Sequence, residues 1–220
     1  HGKYVSIIGG DKSLYALHED GYVENSAENN GTDENWDNII QISQMFNNTA
    51  VALKSNGTMT FGKLTYGLGR VGGYTYSYDW LEIIKNWENI ISFDTDVSMI
   101  IGVQSNGKLV GGIDPEIFDS ASLNKILSNF SDVKSARISL YYGGTSNGSK
   151  VTIAAITKHN TVQIYDNEFY EISVGNIIDM IPYYEYSVNP NIIDKTYRLT
   201  DNGNVIDEND KVILKDIVKI

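Results

Sequence analysis

Five times along the chain a short apolar strand runs into a polar turn and emerges as a second apolar strand. The turns read Glu19-Asp20-Gly21, Ser55-Asn56-Gly57, Ser105-Asn106-Gly107, Lys158-His159-Asn160 and Asp201-Asn202-Gly203. Four residues before the last turn residue stand Leu17, Leu53, Val103, Ile156 and Leu199; one step earlier stand Ala16, Ala52, Gly102, Ala155 and Arg198. Two residues after it stand Val23, Met59, Leu109, Val162 and Val205. This alternation around an Asn-Gly or Asp-Gly pair predicts a β-hairpin, with the turn residues supplying the positive φ that a two-residue connection requires. Asn160 tolerates the left-handed region in the fourth copy, where glycine is missing.

A further strand precedes each hairpin: Tyr4-Val5-Ser6-Ile7, Ile39-Ile40-Gln41-Ile42, Ile90-Ile91-Ser92-Phe93, Val133 to Ile138 and Ile177 to Ile181. Trp36-Asp37-Asn38 and Trp87-Glu88-Asn89 announce two of these strands, and Phe130-Ser131-Asp132 a third. The bulky head residue reads as a wedge between units. Measured between the last turn residues, the spacings are 36, 50, 53 and 43, on average about 45, the size of a four-stranded propeller blade. The middle strand is apolar on both faces, as expected when a sheet is covered on either side; a sandwich strand alternates apolar with polar. The small residue at Ala16 and its equivalents suits a strand that approaches a crowded axis. The expected fold is therefore an all-β propeller of about five units, closed as a five-bladed ring or forming an arc of a larger one. The units fall near 3–35, 36–86, 87–129, 130–173 and 174–214, with 215–220 as a terminal closing strand. Helix is minor: Leu123, Ile126 and Leu127 follow an Asp119-Ser120 cap, and Trp80 to Lys85 forms a short turn.

Composition narrows the partners. A net charge of −11 argues against nucleic acid or an anionic membrane as the main partner. With no cysteine, disulfides and thiolate chemistry are excluded. No apolar run has the length to cross a bilayer. The abundance of Asn, Ile, Tyr and Lys points to an AT-rich, Gram-positive source and an extracellular or cell-surface location.

The stretch Trp-x-Asn-Ile-Ile-x-Ile, followed by Ala-Val-Ala-Leu-Lys-Ser-Asn-Gly-Thr around residues 51 to 57 and closed by Gly62, resembles the bacterial repeats of the regulator of chromosome condensation family. That family is usually seven-bladed. The resemblance implies a propeller that works by protein contact; the roles of eukaryotic members on chromatin do not carry over to so acidic a chain.

Candidate chemistry is sparse. His1, His18 and His159 have no metal-ligand spacing, and no metal site or cofactor is expected. Asp11, Asp94 and Asp96 occupy equivalent loops and form the one conceivable carboxylate cluster, as a glycan-active enzyme would need. The loop after the first strand of each unit enlarges in the fourth and fifth copies. Phe46, Tyr141, Tyr142, Tyr183, Tyr184 and Tyr186 all lie in that loop of their units. Tyr with Gly, Ser and Asn is the composition of adaptable recognition surfaces, although such tyrosines also serve to cover blade ends. The expected activity is non-enzymatic binding of a protein partner, with glycan binding as the alternative and oligomerisation available if the ring is open. Gly73 to Trp80 alternates tyrosines and is expected to be an outer blade strand or a ligand platform. Arg198, where other units have Ala or Gly, either reaches a carboxylate in the central channel or marks an end unit.

Overall fold

The computed structural model describes residues 3–9, 14–25, 36–45, 49–62, 70–71, 74–75, 79–96, 98–142, 149–173, 177–182, 196–207 and 211–215. The hairpins and the strand before each of them assemble into five antiparallel sheets met in chain order. The first contains β1 (Tyr4–Gly9), β2 (Leu14–His18) and β3 (Val23–Asn25); the second β4 (Ile39–Gln44), β5 (Ala50–Lys54) and β6 (Met59–Phe61). A separate two-stranded ladder joins β7 (Arg70–Val71) to β8 (Tyr74–Thr75). The third sheet contains β9 (Ile90–Asp96), β10 (Met99–Gln104) and β11 (Leu109–Ile113). The fourth has β12 (Val133–Tyr142), β13 (Ser149–Thr157), β14 (Thr161–Asp166) and β15 (Glu168–Ser173). The fifth has β16 (Ile177–Pro182), β17 (Thr196–Thr200), β18 (Val205–Ile206) and β19 (Val212–Leu214). The architecture is an all-β propeller.

The core lies between sheets. Four buried clusters occupy the four junctions, and the middle strands supply both of their neighbours. Ala50 and Ala52 of β5 join Tyr15, Leu17 and Trp36 against the first sheet, while Val51 and Leu53 join Trp87, Ile90 and Phe93 against the third. The two-sided apolar pattern is thereby explained, and Trp36, Trp87 and Phe130 are wedges as expected. The small residue has a different cause from the one expected. A Cβ on Gly102 would sit 3.1 Å from the Trp87 ring, so the residue is small to admit the wedge of its own unit.

The turns also differ from the expectation. Gly57 N–H donates to Lys54 O at 2.9 Å, and Lys54 N–H to Thr58 O at 2.9 Å. Gly21, Gly57, Gly107 and Gly203 have φ between 78° and 85°, whereas the Asn or Asp before each is not left-handed. This is a three-residue connection, a type I turn closed by one left-handed residue. The side chain before the glycine then braces the turn. Asn56 Oδ1 accepts Thr58 N–H at 3.0 Å, and Asn106 Oδ1 accepts Lys108 N–H at 2.9 Å. His159 offers no such carboxamide oxygen, and Thr157 Oγ1 accepts the Thr161 N–H instead.

The first three turns are also joints to the next unit. Gly21 O accepts Ile39 N–H, Gly57 O accepts Ile90 N–H and Gly107 O accepts Val133 N–H, at 3.0 to 3.1 Å. Asn38, Asn89 and Asp132, just before those strands, have φ of 56°, 59° and 53°, which short polar side chains tolerate best after glycine. The Asn of the Trp-x-Asn pattern is therefore a backbone requirement.

The two helical segments are α1 (Ser120–Leu127), capped by Asp119 accepting Ser122 N–H at 2.7 Å, and a 3₁₀ segment at Asp79–Asn86. The tyrosine-alternating stretch from Gly73 to Trp80 is described only in part. Tyr74 belongs to the small β7–β8 ladder, Asp79 and Trp80 begin the 3₁₀ segment, and Tyr76 and Tyr78 lie outside the described residues.

Candidate functional site

The first strand of each sheet is an edge strand, with a row of N–H and C=O groups turned away from its partner. Such an edge is a pairing hazard unless covered. Here the neighbouring unit covers it with side chains. Gln41 Nε2 donates to Phe93 O at 2.6 Å and Gln41 Oε1 accepts Phe93 N–H at 3.3 Å, so one carboxamide imitates a strand. Ser43 and Thr95 hydroxyls meet at 2.6 Å. Asp94 accepts Ile138 N–H at 2.9 Å, and Asp96 accepts Leu140 N–H at 2.5 Å. Arg137 then reaches the fifth sheet, donating from Nε and Nη2 to the two Asp179 oxygens at 3.2 and 2.9 Å.

The pairs 41 with 93 and 43 with 95, and 94 with 138 and 96 with 140, advance together, so β4, β9 and β12 run in the same direction. Their C-terminal ends consequently open on one rim. β12 ends there in Tyr141 and Tyr142, opposite Lys150 and Ser149 of β13. Phe46 follows the last described residue after β4, and Tyr183, Tyr184 and Tyr186 follow β16; these four, and Asp11, lie outside the described residues. Of the expected recognition residues, the structure thus gives the backbone position of Tyr141 and Tyr142.

The carboxylate cluster is corrected. Asp94 and Asp96 are strand residues of β9, and each binds the backbone of β12. Burial pushes the Asp94 carboxyl up to about 6, against the opposing pull of the Ile138 N–H and the Arg137 guanidinium. Arg137 compensates it poorly because the guanidinium engages Asp179 with two hydrogen bonds and stands 3.6 Å from Asp94. Arg198 Nη2 donates to Asp207 O at 2.6 Å, just past β18. Among the described residues no cluster of three or more metal-binding side chains occurs. The edge-sealing role of Gln41, Asp94 and Asp96 was not foreseen from the sequence; the signal was a polar residue at alternate positions of strands otherwise apolar.

No protein-family model matches the chain, and no curated protein matches it in sequence. Among solved structures it is similar to yeast RCC1 (Prp20) bound to Kap60, with a TM-score of 0.57 and 13% identity over 92% of this chain and 55% of that one. Human WBSCR16 is a second match, with a TM-score of 0.46 and 14% identity over 74% of this chain and 47% of that one. The chain spans about half the length of these proteins. At the level of fold, the yeast protein makes this an RCC1-like β-propeller array.

Proposed function

We propose that the chain is a non-enzymatic module that binds a protein partner through the rim where the inner strands end. The observation that carries this reading is the length of the fourth hairpin. β12 has ten residues and β13 nine, against seven and six in β9 and β10 and six and five in β16 and β17, so this hairpin is longer than those on either side, and Tyr141 and Tyr142 are the last residues of its first strand. Aromatic rings on a stiff strand contribute contact area at small entropic cost. The yeast relative was solved in complex with a protein, Kap60, which favours a protein partner by analogy of fold. Asp94 and Asp96, the carboxylates an enzymatic reading needs, are occupied in holding β12. The match of 92% of this chain to 55% of the yeast protein favours an arc over a five-bladed ring.

Affinity capture with the intact chain tests the reading. A protein retained by the wild type and by Tyr22→Ser, an exposed tyrosine beside a hairpin turn, but lost in Tyr141→Ser/Tyr142→Ser, is the expected result. Equal capture by the wild type and both variants overturns the site, and glycan-array binding without protein capture replaces the partner class.

A further inference from the structure

We infer that the outer edge of the third sheet is a docking groove for an extended peptide segment of a partner protein, which joins β11 as a fourth strand. The fourth and fifth sheets complete themselves with β15 and β19, but the third ends at β11. Gln104 N–H donates to Lys108 O and Asp114 N–H to Ser98 O, so residues 108, 110, 112 and 114 face β10. By strand alternation the N–H and C=O groups of Leu109 and Gly111 point outward. Their equivalents in the fourth sheet, Val162 and Ile164, are paired with Ile172 and Tyr170 of β15.

The place is shaped for a strand. After β11 the chain turns into α1, whose Leu127 closes on one face of β11, while Ile83 of the 3₁₀ segment closes on the other. Glycine permits both approaches: a Cβ on Gly111 would lie 2.6 Å from Leu127 Cδ1, and one on Gly112 would lie 3.0 Å from Ile83 Cγ2. Between these walls is an open cleft of about 420 Å³, lined also by Trp87, Phe130 and Lys108. Ile83 is 44% exposed at its lip.

The fourth sheet indicates what the segment carries. Glu171 of β15 accepts the Thr161 hydroxyl at 2.8 Å, and Lys108 is the equivalent of Thr161. A carboxylate at the Glu171 position would therefore meet the Lys108 ammonium, with apolar residues on the strand around it. Extended peptides that add a strand to an exposed edge are recognised in this way, by backbone bonds and alternate side-chain pockets. The inference rests on the protein-binding reading for its class of partner, but on a different surface from the tyrosine rim.

The test uses the intact, isotope-labelled chain and a capped synthetic peptide copying β15, Glu-Phe-Tyr-Glu-Ile-Ser. In the free chain the Leu109 and Gly111 amides should exchange at least about ten-fold faster than those of Val162 and Ile164, as expected of an open edge. The peptide should slow them and shift their resonances. Ile83→Lys and, separately, Lys108→Glu should each weaken binding about ten-fold, with the signals of β12 to β14 unchanged. Tyr141→Ser/Tyr142→Ser should leave peptide binding intact, which separates this groove from the rim. Equal protection of all four amides in the free chain overturns the inference, as does peptide binding that perturbs only the fourth sheet or no site.

Discussion

The first sheet and the second, third and fifth place large side chains at the same two positions of the inner strand, and bury them very differently. Tyr4 and Ile7 are 47% and 60% exposed; Ile39 and Ile42, Ile90 and Phe93, and Ile177 and Met180 are all 5% exposed or less. In the later sheets these positions face the preceding unit, and each junction fills with a cluster of its own. The first sheet's opposite face is covered normally, since Tyr15, Leu17 and Val23 are buried against the second. Burial is thus a property of rank in the array, not of the residue. The exposed face is also chemically softened: the Tyr4 ring lies 4.2 Å from the His18 ring, and its hydroxyl donates to Glu24 at 2.7 Å.

The contrast is broken most severely by truncating one side chain on each kind of face. Phe93→Ala should lose about 3–5 kcal/mol of stability, the usual cost of emptying a buried aromatic site. Ile7→Ala at the equivalent position should lose less than about 0.5 kcal/mol. Urea denaturation of the two variants decides; equal losses would mean that the first face is covered after all.

A smaller effect separates the sealed inner edge from ordinary surface. The Asp94 carboxyl is raised from 3.8 to about 6 in the fold, so folding favours its protonated form. Its stabilising contribution is complete below pH 4 and is lost as pH rises through 6, by at most about 2–3 kcal/mol. Asp94→Asn keeps an oxygen for the Ile138 N–H and removes the charge. It should be more stable than wild type at pH 8 and nearly equal to it at pH 4. Denaturation at the two pH values checks this, and a variant less stable at pH 8 would show that Arg137 compensates the charge.

The smallest effect should ignore rank altogether. Asp20 Oδ1 accepts Tyr22 N–H at 3.2 Å in the first turn, as Asn56 does for Thr58 in the second. Asp20→Ala and Asn56→Ala should each cost about 1 kcal/mol, the worth of one such bond, and thermal unfolding should find the two alike. A large difference would show that turn stability depends on the neighbours.

Sequence pattern alone made the hairpins, the wedge residues and the Asp119-capped helix legible, because each depends on residues a few positions apart. It misjudged the turn, since Asn-Gly suits both a two-residue connection and a type I turn ending in a left-handed glycine. It misjudged Gly102 because the ring that crowds it arrives from Trp87, before the strand. Asp94 and Asp96 read as loop carboxylates because their partners, Ile138 and Leu140, lie 44 residues onward, beyond any local pattern. Of the candidate rim, Tyr141 and Tyr142 read as loop residues, because the apolar pattern of the strand fades after Ile138, whereas β12 carries them as its last two residues.

The hydrogen bonds from Gly21, Gly57 and Gly107 carbonyls to the next unit's first strand have a kinetic consequence. Every joint connects a unit only to its successor, so opening one leaves the others intact. Unfolding should then proceed as fraying inward from a terminus, with amide exchange slowest in the middle sheets and graded toward the ends. A lineage carrying such joints can gain or shed a unit without rewriting those that remain, because no joint contains information about how many units there are.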